Sequence, residues 1–66
     1  MQIYINGEMR EVAEELTAAE LVSELGLGGR RIAMEINREI VPRSAYHSVR
    51  LRAQDRVEIV HAIGGG

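Results

Sequence analysis

The sequence predicts an α+β roll, a mixed sheet of four to five strands with one helix packed on one face. Three observations carry that expectation: apolar and polar residues alternate with a period of two in separate stretches, one capped helical stripe lies between them, and the closing run is apolar on both faces. With 66 residues the chain has room for a single domain. A chain this short buries only about 60% of the surface its unfolded form exposes, so its stability should be modest.

Residues 1–13 read as a hairpin. Ile3 and Ile5 alternate with Gln2 and Tyr4, Asn6-Gly7 follows, and Met9-Arg10-Glu11-Val12 leads away. Asn-Gly is the strongest two-residue hairpin signal, because a type I′ turn needs positive φ at both central positions. A helix start is written at Thr17-Ala18-Ala19-Glu20, where the Thr17 hydroxyl can take an orphan amide and Glu20 can reach back. Leu16 and Leu21 fit the apolar staple around that start. Ala18, Leu21, Val22 and Leu25 then recur on one face, and Gly26 supplies the left-handed residue that ends about eight residues of helix.

Ile32, Met34 and Ile36 alternate with Ala33, Glu35 and Asn37, which predicts a strand over residues 31–37 with one face buried. Ile40-Val41 is a shorter strand stopped by Pro42, which has no amide to donate. Ser44 to Leu51 shows no clean period and reads as an irregular loop containing a helical turn. The run from Arg56 to Ala62 is apolar on both faces in its second half, as expected of a strand inside the sheet, and it fits best beside the first strand. Residues 1–63 form the expected domain, and residues 64–66 a flexible glycine tail.

Composition narrows the chemistry. There is no cysteine, so no disulfide, thiol nucleophile or thiolate metal site is available. All eight basic residues are Arg, the net charge is −2, and no segment gathers the cations into a stripe that could follow a phosphate backbone. Nucleic acid is therefore not an expected partner. Neither a membrane span nor a signal peptide is readable, which points to the cytoplasm. His47 and His61 lack the third ligand or fixed carboxylate that a metal or acid–base site requires, so no metal is expected and no catalytic constellation can be assembled. Glu8, Glu11, Glu14 and Glu15 read as a solvated face, Met9 and Met34 as packing. Tyr4 and Tyr46 are too few and too far apart for a base-stacking platform.

Three of the seven glycines occupy positions 64–66. Terminal glycines are often no more than a frayed end. The alternative starts from the Gly66 carboxylate, ionised at neutral pH and the most distinctive reactive group left. Transfer of AMP to it from ATP gives a mixed anhydride open to a sulfur nucleophile. Glycine, lacking Cβ, lets the walls of a narrow channel close on the chain and leaves the carbonyl unshielded. Gly64 and Gly65 would give that access. Ile63, Val60 and Ile40 are candidates for an exposed apolar patch, with His61 near the tail exit as a further partner contact; Val60 and Ile40 are equally readable as core.

The strand order, the segment Glu39-Ile40-Val41-Pro42-Arg43, the closing run Asp55 to Val60 and the terminal Gly65-Gly66 resemble the ThiS family, ubiquitin-like β-grasp sulfur carriers of thiamine biosynthesis. The resemblance covers essentially the whole chain. It departs at Arg38 and Gln54, where family members often carry glycine. What it implies is a carrier and not an enzyme: Gly66 is adenylated by a partner related to ubiquitin-activating enzymes (ThiF type), becomes a thiocarboxylate with sulfur from a cysteine desulfurase, and donates that sulfur to thiazole synthase (ThiG type). The chain itself would bind no cofactor, because ATP and magnesium belong to the activating partner, and it would be monomeric when free. A molybdopterin synthase small subunit shares fold and tail but is usually longer. Carriers for cysteine synthesis or tRNA thiolation, a ubiquitin-like modifier joined to lysines, and an interaction module with an inert tail remain as alternatives.

Overall fold

Residues 1–61 are described by a computed structural model. Strands β1 (Gln2–Ile5) and β2 (Glu8–Glu11) form the expected hairpin, with Ile5 opposite Glu8 and Tyr4 opposite Met9. Asn6 and Gly7 both take positive φ, 51° and 86°, as a type I′ turn demands. Helix α1 (Ala18–Glu24) follows, then β3 (Ile32–Ile36), β4 (Glu39–Val41), a short 3₁₀ turn at Arg43–Ala45, and β5 (Arg56–His61). The sheet order is β2-β1-β5-β3-β4; β1 and β5 run parallel and every other pair antiparallel. This is the α+β roll, with the last strand in the middle beside the first.

The helix begins where the capping box is written. The Glu20 amide donates to the Thr17 hydroxyl at 3.1 Å, and the Thr17 amide donates to the Glu20 carboxylate at 2.9 Å. Ala18, Leu21 and Val22 turn inward and meet Ile3, Met34, Leu51, Val57 and Ile59 from the sheet and the preceding loop. Ile3, Leu21, Met34, Leu51 and Val57 are almost wholly sealed from solvent, and each such burial contributes roughly 1.5–3 kcal/mol. The irregular stretch before β5 is anchored to the helix entrance, because the Leu51 amide donates to Leu16 and the Ala18 amide to Val49. Tyr46 is buried in this core, while the other tyrosine, Tyr4, lies under the Arg56 guanidinium, 5.0 Å from ring centre to Cζ.

One expectation needs correction. Met9 does not pack: it is 60% exposed, because β2 is an edge strand and Met9 shares the sheet face of Tyr4, away from the helix. Of the two readings open for Val60 and Ile40, the exposed one holds, since among the described residues α1 covers one face of the sheet and both side chains stand on the other. Arg38 and Gln54, which replace the turn glycines, adopt the left-handed backbone regardless, with φ of 70° and 72°. The turn at Gln54 is held by Asp55, whose carboxylate accepts from the Arg52 amide at 2.8 Å.

Candidate functional site

Strand alternation decides which residues can meet a partner. Along β5, Val57 and Ile59 point to the helix, so Arg56, Glu58 and Val60 point away from it. Register then builds a surface on the uncovered face: Val60 lies opposite Ala33, Glu58 opposite Glu35, and Glu35 opposite Ile40. Ile40 is 77% and Val60 59% exposed, two large aliphatic residues on the strands that flank β3. Between them lies a shallow depression of about 120 Å³, floored by Ala33 and Met34 and flanked by Glu35 and Glu58. That volume admits one protruding side chain, well short of the roughly 300 Å³ at which small-molecule pockets begin.

The two glutamates are the feature that the sequence pattern conceals. Glu35 and Glu58 sit directly across from one another on neighbouring strands, where like charges oppose pairing. Alternation in β3 and β5 places each on the outer face, but only the register brings them together. The surface therefore joins two apolar residues to a doubly acidic centre, which suits a partner offering an apolar side chain with a cation beside it.

The sequence-predicted contacts are only partly united. Ile40 and Val60 share this surface; His61, one residue further along β5, projects to the opposite face and lies across from Ile32 at the end of the strand. Ile63, Gly64, Gly65 and Gly66 lie outside the described residues. Among the described residues no three His, Cys, Asp or Glu side chains gather into a group able to hold a metal ion. No helix of the described residues is long and apolar enough to cross a membrane.

Residues 3–66 match the ThiS family. The chain belongs to the ThiS family. It is 38% identical over 50 residues to the sulfur carrier protein ThiS of Bacillus subtilis, covering 76% of each chain. A crystal structure of the ThiS thiamine biosynthesis protein of Geobacter metallireducens superposes along the full length of both chains with a TM-score of 0.88 at 32% identity. The β-grasp architecture expected of a ThiS protein is thus the architecture present. A thiazole synthase of Paramagnetospirillum magneticum is 46% identical over all 66 residues, and the chain spans 20% of the length of that relative.

Proposed function

We infer that this ThiS-family chain is the sulfur carrier of thiamine biosynthesis, with the Gly66 carboxyl group bearing the sulfur for formation of the thiazole. The carboxylate oxygen attacks the α-phosphorus of ATP bound by an activating partner and pyrophosphate leaves. The terminal sulfur of a persulfide formed by a cysteine desulfurase then adds to the acyl carbon and AMP departs; a thiol cleaves the resulting acyl disulfide, is itself oxidised to a disulfide, and a thiocarboxylate remains. The carrier surrenders this sulfur to thiazole synthase and returns as the carboxylate. It acts as a recycled cosubstrate, not as a catalyst.

The observation that carries this reading is the placement of Ile40 and Val60. Ile40 on β4 and Val60 on β5 are both exposed on the uncovered face, and in sequence β5 precedes Gly64, Gly65 and Gly66 by a few residues. A partner gripping that face holds the carrier just upstream of its reactive end. The occurrence of a segment like this chain within a thiazole synthase supports that enzyme as the sulfur acceptor over the acceptors used by other ubiquitin-like carriers.

Reconstitution with an adenylating enzyme, a cysteine desulfurase and purified thiazole synthase tests the reading. Thiazole should form in proportion to the carrier supplied, and the chain lacking Gly66 should fold normally yet support none. Thiazole formation without the carrier, or with the shortened chain, would refute it.

A further inference from the structure

On its β1 side, β5 is fastened near its end by a side chain, not by a strand. The parallel ladder between β1 and β5 stops at Ile5 opposite Val57, because β1 turns away into its hairpin. Asn6 donates its backbone amide to the Val57 carbonyl at 2.9 Å, and its side chain then takes the place of the missing next strand residue. The Asn6 side-chain oxygen accepts from the Ile59 amide at 2.9 Å, and its nitrogen donates to the Ile59 carbonyl at 3.1 Å. Both backbone groups of one residue are satisfied by one amide from 53 positions away, in a part-buried setting. The left-handed backbone of Asn6, φ 51°, aims that side chain across the strand end.

Beyond Ile59 the strand continues through Val60 and His61 with pairing only on its β3 side, at Ala33 and Ile32. Gly66 is five residues further on. A strand end held along one edge frays, and fraying there would move the origin of the sulfur-bearing segment relative to the docked face. A group that must enter a partner's site reacts at a rate set by how well its origin is fixed.

The geometry points to Asn6 as a positioning residue for sulfur loading: its side chain clamps Ile59 and so fixes, relative to the Ile40–Val60 surface, the part of β5 that precedes the segment bearing Gly66. The inference rests on the sulfur-carrier reading. It assigns Asn6 a role separate from the hairpin turn that its sequence announces.

Asn6→Gly isolates that role in the full-length chain, because glycine adopts the left-handed turn without strain while removing the clamp. Amide exchange at Ile59 should rise about tenfold, with exchange in β4 unchanged. In steady-state loading by the adenylating enzyme and desulfurase, kcat should fall about fivefold while KM stays within about twofold, since the docking surface is intact. Asn37→Gly serves as the control: it loosens the opposite end of β5 and should leave kcat as it was. Asn6→Asp gives a second variant with the turn preserved, in which a carboxylate faces the Ile59 carbonyl; it should load no faster than Asn6→Gly. Unchanged kcat in both Asn6 variants, an equal loss in Asn37→Gly, or a rise in KM alone would overturn the assignment. A wild-type chain that accepts no sulfur would refute the carrier reading itself, which is a different result from a wild-type chain that loads as fast as its Asn6 variants.

Discussion

Asn6 and Asn37 grip the same strand from opposite edges and at opposite ends. Asn6 clamps Ile59 from the β1 side, while Asn37 accepts from the Arg56 amide at 3.0 Å from the β3 side, its own backbone amide donating to the Arg56 carbonyl at 2.8 Å. Each sits in a hairpin turn with φ of 51°, and each substitutes a side-chain amide for a ladder partner. The central strand, which precedes the glycine run, is thereby tied beyond the β1 ladder at one end and beyond the β3 ladder at the other.

Asn37 also donates its side-chain nitrogen to the Asp55 carboxylate at 3.0 Å. Asn37→Gly should therefore lower stability by about 1–2 kcal/mol, the loss of two modest hydrogen bonds in an exposed setting. Asn37→Asp should cost more at neutral pH, because it sets a second carboxylate against Asp55. Urea denaturation of the three chains checks this order, and the excess cost of Asn37→Asp should shrink with added salt.

The capping box predicts a pH dependence. Thr17 holds the Glu20 carboxyl below its usual 4.5, chiefly through the backbone amide and then through the hydroxyl. A carboxyl depressed in the folded state stabilises the fold fully above the unfolded value and loses that contribution as pH falls through the folded value. Thr17→Ala should lower stability by about 1 kcal/mol at pH 7, which for a domain of this size is a drop of roughly 4–8 °C in Tm. Below pH 4.5 the gap between wild type and Glu20→Gln should close, as thermal melts across that range would record.

Much of this fold was legible because its signals are local. Alternation of Ile32, Met34 and Ile36, the Asn6-Gly7 turn and the Thr17–Glu20 box each act within a few residues, and each forms where it is written. What stayed hidden depends on residues far apart in sequence. For Val60 and Ile40 the sequence leaves exposed patch and core open, and only the side of the sheet on which α1 packs decides between them, with no other described element over their face. Met9 failed as a packing residue for the same reason. Arg38 and Gln54 lack the glycine that marks a left-handed turn; Asn37 and Asp55 beside them hold the backbone through side-chain bonds that no propensity records. The Glu35–Glu58 pairing and the Asn6 clamp exist only once the register of β5 is set. Asn6-Gly7 announces the turn in the sequence, and not the clamp on Ile59.

Glu58 opposite Glu35 is an interaction that the isolated fold would be better without. Glu58→Gln should raise stability by a few tenths of a kcal/mol at low ionic strength, and salt should erase the difference. The same variant should weaken loading if a cation on the partner sits between the two carboxylates. Denaturation at two salt concentrations, with loading kinetics alongside, reads both effects.

Ile40→Thr and Val60→Thr keep the branched β-carbon that suits a strand and remove apolar contact surface. Both side chains are exposed, so stability should change by less than about 0.5 kcal/mol. The KM for loading should rise about tenfold in the double variant, with kcat little changed. A large loss of stability with KM unaltered would return these residues to a structural role.

The most direct test of the central claim is the intact mass of the chain after coexpression with its adenylating enzyme and a cysteine desulfurase. The account predicts replacement of one oxygen by one sulfur, localised by fragmentation to Gly66 and absent when the desulfurase is omitted. A chain whose mass stays at the encoded value with both partners active, or whose added sulfur lies anywhere else, would contradict it.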